Sequence, residues 1–181
     1  VVRNDFGAKI YYGGENEFFD YDKVVIATHA DQALDIIDNP TSDEEEILKN
    51  FKYRDNSAVI HFDESIMPKN KKAWCSWNSS MSKDNIKKTS VTYWLNQLQN
   101  LKINRDIFLT INPFRDIPED KIFKKVKFTH PYYDNAALSN QNNLNKIQNK
   151  KNILFCGSYF GYGFHEDGIK SSIDMLKTLN D

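Results

Sequence analysis

The stretch Ile153-Leu154-Phe155-Cys156-Gly157-Ser158-Tyr159-Phe160-Gly161-Tyr162-Gly163-Phe164-His165-Glu166-Asp167-Gly168-Ile169 decides how this chain is read. Ile153–Cys156 is a short, unbroken apolar run, of the kind buried on both faces in a parallel sheet. Gly157 permits a sharp turn, or the close approach of a ligand. A helix is expected to open near Gly168, with Ile169, Ile173, Met175, Leu176 and Leu179 as an apolar stripe for packing on the sheet. Its N-terminus presents unpaired N–H groups and about half a positive charge. Strand, glycine turn and helix start together suit an anionic or electron-rich ligand. A plainer role for Glu166 and Asp167, as caps of that helix, is compatible with this reading.

A second buried strand is expected at Val24–Thr28, followed by a short helix from His29 with Ala33, Leu34 and Ile37 at helical spacing; Asp38-Asn39-Pro40 stops it. Before it, Val1–Arg3, Ala8–Tyr12 and Glu17–Tyr21 read as short strands, with Gly13-Gly14 as a turn. The spacing of Ser42 and Glu45 predicts a capping box, and the acidic run Asp43–Glu46 is charge at a helix N-terminus rather than a metal site. Residues 57–66 alternate as a strand, with His61 as a surface or packed histidine. Ala73–Trp77, Ile107–Ile111 and Lys124–Phe128 read as further strands, and Ser90–Leu98 as a strand or a strand entering a helix. These antiparallel, aromatic-rich strands could roof a ligand cavity, with Trp77 and Trp94 as its walls. Residues 135–149 read as a polar surface helix with Ala137, Leu138, Gln141, Leu144 and Ile147 on one side.

The 181 residues carry a net charge of -1, so no basic field draws nucleic acid. No apolar run reaches the roughly 18 residues of a membrane span, and no secretory signal is read at Val1–Asp5. The start without Met is read as that of a piece of something longer. Cys75 and Cys156 are expected as buried free thiols, in no metal-like spacing, which suits a reducing cytoplasm. His165-Glu166 lacks the second histidine of a zinc-protease helix, so no metal is expected. No Gly-x-Gly-x-x-Gly follows a strand, and no serine-hydrolase elbow is present.

Val24–Ala33, Ala73–Asn78, Val91–Trp94, His130–Tyr133 and Phe155–Gly168 occur here in an order that resembles the C-terminal portion of a bacterial family. That family is the flavin-containing, amine-oxidase-like oxidoreductases, in the branch described as predicted NAD/FAD-binding proteins. Its members are often encoded beside cyclopropane-fatty-acid-synthase-like methyltransferases. The resemblance implies an α/β (α+β) fold: part of a Rossmann-like FAD-binding domain, and a mixed, largely antiparallel sheet for the substrate. It assigns residues 1–49 and 134–181 to the FAD-binding domain and 50–133 to the substrate domain. The glycine fingerprint that binds the dinucleotide is absent, so the chain resembles a fragment, and a missing N-terminal part of the flavoprotein is an expected partner.

By the same resemblance, Ala27, Thr28, Gly157, Ser158, Asp167, Gly168 and Ile169 contact FAD, with Gly168 and Ile169 under the flavin ring. Ser158 departs from the acidic residue usual after that glycine, and Ser172 from a smaller residue in the helix. His165 and Glu166 are the candidate catalytic residues, His165 as a proton donor. The implied activity is hydride transfer between flavin and an organic substrate, with a small fatty-acyl or lipid molecule suggested by the gene association. Alternatives are flavin-dependent isomerisation without net redox, and a non-catalytic interaction module. The expected location is the cytoplasm, including its membrane surface.

Overall fold

The computed structural model describes residues 1–13, 17–83 and 88–179. Gly14, half of the expected turn, lies outside them; Gly13 holds φ 64, a turn conformation natural to glycine. The chain divides into two compact units, Val1–Arg54 with Pro131–Asp181, and Asp55–His130.

The first unit opens with an antiparallel meander, β1 (Val2–Asn4), β2 (Gly7–Tyr11) and β3 (Phe18–Tyr21). β4 (Val24–Ile26) then lies parallel to β10 (Ile153–Phe155), in register Val24 with Ile153, Val25 with Leu154 and Ile26 with Phe155. One face of this pair, Val24, Ile26, Ile153 and Phe155, enters a core shared with Ala30, Ala33, Leu48, Phe51, Leu144 and Ile147. Those partners come from α1 (Ala30–Ile36), α2 (Ser42–Leu48) and residues 49–51 and 141–147.

The capping box of α2 sits one residue earlier than the spacing predicts. Thr41, not Ser42, accepts the amide at the third helical position, and the returning side chain is Glu44, not Glu45. Glu44 accepts the Thr41 N–H at 2.7 Å and pairs with the Arg3 guanidinium; neither side chain of that pair is more than 4% exposed. A buried ion pair selects Glu44 over its exposed neighbours, because only Glu44 faces Arg3.

Residues 135–149 are not a surface helix. A short α4 (Asn135–Asn140) passes into a 3₁₀ helix over Gln141–Ile147. Leu144 and Ile147, three residues apart, match its three-residue turn, and both are fully buried.

In the second unit, β5 (Lys52–His61), β6 (Trp77–Met81), β7 (Thr89–Trp94), β8 (Phe108–Ile111) and β9 (Ile122–Tyr132) form a sheet in the order β6-β7-β8-β5-β9. β7 runs straight into a four-residue helix, α3 (Leu95–Leu98). The strand expected over Ala73–Trp77 is a 3₁₀ turn over Lys71–Ala73, and β6 begins only at Trp77. Cys75 therefore lies in a loop and is exposed, contrary to expectation, whereas Cys156 is buried. β5 ends at His61, short of the expected residue 66, because the Asp63 side chain caps a 3₁₀ turn over Glu64–Ile66.

The polar face of this sheet is the covered one. His61 Nε2 lies 2.7 Å from Thr110 Oγ1, which lies 2.8 Å from Thr92 Oγ1; all three residues are at most 2% exposed. Each hydroxyl is satisfied across the strands, which makes its burial tolerable.

Candidate functional site

The candidate site lies at the carboxyl ends of β4 and β10. Parallel strands of this kind receive ligands at that end. The two strands bring Ala27 and Thr28 beside Gly157, although about 130 residues separate them in sequence: a Cβ placed on Gly157 would stand 3.5 Å from the Thr28 carbonyl oxygen. The Cys156 amide donates to the Ile26 carbonyl at 3.1 Å and fixes that junction. His29, just after, stacks on Tyr53 at 4.2 Å, and Tyr53 Oη accepts the Ala30 N–H at 3.0 Å.

After Gly157 the chain makes a 3₁₀ turn over Ser158–Phe160, then enters α5 (His165–Lys177). The helix thus begins at His165, three residues before the expected start at Gly168. Asp167 sets that start. Its Oδ2 accepts the amides of Tyr162 and Phe164, both at 2.9 Å. The Asp167 carboxylate, expected at the cofactor, is therefore occupied as the helix cap.

The four glycines of the stretch have different causes. Gly157 holds φ 156, and a Cβ there would stand 2.7 Å from the Tyr159 ring. A Cβ on Gly161 would stand 2.3 Å from the Asp167 carboxylate. Gly163 holds φ 92, with Tyr133 Oη 3.0 Å from its added Cβ. Those three are required by the chain itself. Gly168 is not: the first atom its Cβ would meet is the Ser158 amide nitrogen, at 3.9 Å. Glycine inside a helix costs about 1 kcal/mol relative to alanine, and no contact within the described residues offsets that cost. The Ser158 amide and the first amides of α5, His165 and Glu166, meet no acceptor among the described residues. Gly168 therefore leaves open space beside the Ser158 amide, within the first turns of a 13-residue helix.

The helix is anchored by a residue that apolar periodicity does not reveal. Ser171 is buried; its hydroxyl accepts the Gly157 amide at 2.9 Å and donates to the Gly168 carbonyl at 2.7 Å. Ser172 donates to the same carbonyl at 2.9 Å. Ser171 and Met175 form the buried face of α5, with Met175 on Leu154 and Cys156. The expected packing stripe is displaced: Ile169, Ile173 and Leu176 are 57%, 53% and 53% exposed.

Three tyrosines back the junction. Tyr159 is buried against Phe51, and its hydroxyl has no partner among the described residues. Burial pushes its ionisation well above the ordinary tyrosine value. Tyr133 Oη lies 3.4 Å from the Ser158 carbonyl oxygen; burial, reinforced by the Tyr53 and Asp167 charges, pushes its pKa up to about 12. Burial raises Tyr53 as well, opposed by the Ala30 amide. All three remain neutral at physiological pH. His165 and Glu166 project at the exposed start of α5 with no hydrogen-bond partner for either side chain among the described residues.

Trp77 and Trp94 lie in the second unit and do not share a wall. Trp77 pairs with Tyr93 across β6 and β7, so it lies on the Tyr93 face, 67% exposed. Trp94, the next residue along β7, points the other way. It packs edge-on to Trp74 and donates Nε1–H to Asp106 at 2.9 Å. Among the described residues no cluster of three or more His, Cys, Asp or Glu could hold a metal ion, and no helix is long and apolar enough to cross a membrane.

No family model matches the chain, and no curated protein sequence matches it. Solved structures do. One is a CLA-producing fatty acid isomerase from P. acnes, with a TM-score of 0.65 and 13% identity over 98% of this chain and 45% of that one. Another is a predicted protoporphyrinogen oxidase from Exiguobacterium sp. 255-15, with a TM-score of 0.58 and 10% identity over 99% of this chain and 45% of that one. The chain shares the fold of these two proteins. It spans less than half the length of each. The mixed α/β class with antiparallel sheets, expected from the sequence, is thus the fold observed.

Proposed function

We propose that this chain supplies the flavin-ring end of an FAD site in an amine-oxidase-like oxidoreductase, which moves hydride between flavin N5 and an organic substrate of fatty-acyl or lipid type. Residues 1–49 and 134–181 are assigned to the cofactor and 50–133 to the substrate. The observation that carries this reading is the open space at Gly168, beside the Ser158 amide and at the start of α5. The family resemblance of the sequence and the shared fold support the same assignment.

The residues fit the ring end of such a cofactor. Ala27, Thr28, Gly157 and Ser158 would border it, and Gly168 and Ile169 would lie against it. When bound, flavin supplies the hydride chemistry. The start of α5 would favour negative charge on a cofactor held there. Asp167 is a positioning residue here, since its carboxylate orients the first turn of α5. His165 and Glu166 are assigned to proton exchange with the substrate, at the exposed rim of that turn. The pyrophosphate end of FAD finds no glycine fingerprint in these residues.

A second reading, isomerisation without net redox, is favoured by one observation, the fold shared with a fatty acid isomerase. In that reaction the hydride removed from one carbon of the substrate returns to another, and no external acceptor is consumed. Turnover of the natural protein separates the two. Product formed anaerobically with no electron acceptor identifies the isomerase, and product formed only with an acceptor identifies the oxidoreductase. A natural protein that purifies without flavin and binds none when it is added contradicts both.

A further inference from the structure

We propose that the cleft between the 3₁₀ helix Gln141–Ile147 and α5 is a binding site for a neutral polyhydroxylated molecule, a single sugar ring or a polyol.

The Asn- and Gln-rich run 140–149 supplies one wall. Most of its amide side chains hold the fold. Gln141 donates to the Gly161 carbonyl, Asn143 to Asn140 Oδ1 at 3.1 Å, and Asn149 to the Thr178 carbonyl at 2.9 Å. Gln148 closes the outer edge of β10, its Oε1 accepting the Phe155 amide at 3.0 Å and its Nε2 donating to the Phe155 carbonyl at 2.7 Å. Asn142 and Asn145 do none of this. Neither side chain has a hydrogen-bond partner among the described residues. Three residues apart, they stand one above the other on a helix with three residues per turn, while Leu144 and Ile147 turn into the core.

The second wall is α5. Lys170, Asp174 and Thr178 recur at i, i+4 and i+8, and so share one side of it. The Lys170 ammonium forms no ion pair among the described residues, and Asp174 uses only Oδ1, on Lys177 at 2.6 Å. Between the walls lies a space of about 360 Å³, within the range of small-molecule sites. It is preformed. The Gln141 bond to Gly161 ties the walls together at one end, and the Asn149 bond to Thr178 ties them at the other.

The free groups select the ligand. Each free amide offers a donor and an acceptor side by side, and the α5 wall adds an ammonium donor and a carboxylate acceptor. A hydroxyl both donates and accepts, so neighbouring hydroxyls can satisfy both walls. An acyl chain would take water from these groups and return no hydrogen bond. Asp167 and Asp174 outnumber Lys170 in the lining, which disfavours an anion. The exposed Tyr162 ring, in the same lining, offers an apolar face to the C–H groups of a sugar. Gly168 does not line this cleft, so the inference goes beyond the flavin reading and does not rest on it.

NMR of the natural protein, isotope-labelled at asparagine side-chain amides, tests the proposal. The probes are glucose, galactose, mannose, N-acetylglucosamine, myo-inositol and glycerol, each titrated to about 10 mM. At least one is expected to shift the Asn142 and Asn145 signals saturably. The double variant Asn142→Ala, Asn145→Ala should bind that probe about tenfold more weakly, with an unchanged melting temperature, because neither side chain supports the fold. Should the double variant melt lower, Lys170→Met makes the same comparison from the opposite wall. The proposal is overturned if no probe gives a saturable shift, if the variants bind as the natural protein does, or if inorganic phosphate or hexanoate shifts these signals and no polyhydroxyl probe does.

Discussion

His61 makes the second unit sensitive to acid, by an amount that its surroundings set. The ring is fully buried, Nδ1 accepts the Asp63 amide at 3.1 Å, and Nε2 donates to Thr110. A proton on Nδ1 would set two donors against each other. Burial, partly opposed by the Asp63 charge, lowers the pKa from 6.5 to about 4. The unfolded chain therefore takes up a proton at higher pH than the folded one. The contribution to stability is complete above pH 6.5 and is lost as pH falls from there toward 4. At roughly 1.4 kcal/mol per pH unit, the loss is about 2 kcal/mol at pH 5 and approaches about 3 kcal/mol below pH 4. Urea denaturation at pH 7.5 and pH 5, for the natural protein and for His61→Gln, isolates this term from the other titrating groups. The natural protein is expected to lose about 2 kcal/mol more than the variant. Equal losses, within about 0.5 kcal/mol, would refute the burial argument, as would an NMR titration midpoint for His61 near 6.5.

Two further substitutions test the first unit. Glu44→Gln keeps the shape but leaves the Arg3 charge buried without its carboxylate, and should cost about 3–5 kcal/mol; adding Arg3→Met should recover much of that, and a single-variant loss below about 1 kcal/mol would contradict the pairing. Gly157→Ala must hold φ 156 with its Cβ against Tyr159, and should destabilise by about 3 kcal/mol. A melting curve that matches the natural protein would refute that account of Gly157.

The apolar runs Val24–Ile26 and Ile153–Cys156 were legible as strands; Ile153–Cys156 is buried as expected, whereas the first strand ends at Ile26 and is buried on one face only, with Val25 45% exposed. The face that α5 buries was not. Periodicity groups Ile169, Ile173 and Leu176, but it cannot say which face the chain itself covers; Ser171 holds the buried face through two hydrogen bonds that no apolar pattern records. The opposed directions of Trp77 and Trp94 depend on the β6–β7 register, which the sequence leaves open. Glu44 is one of four consecutive acidic residues, and only the distant Arg3 distinguishes it. The glycines of the site were legible as a group but not in their causes. Tyr159, Asp167 and Tyr133 each account for one, and this narrows the ligand signal to Gly168.

That narrowing gives the central claim its most direct measurement, the flavin content of the purified natural protein against that of Gly168→Val, with thermal stability recorded for both. The first atom beyond its own helix that a Cβ at position 168 would meet stands 3.9 Å away, so with flavin removed from both the variant should melt close to the natural protein. If the flavin ring lies against Gly168, the branched side chain occupies its place, and the variant should lose bound flavin while keeping its fold. Equal flavin content in the two proteins would contradict the site described here.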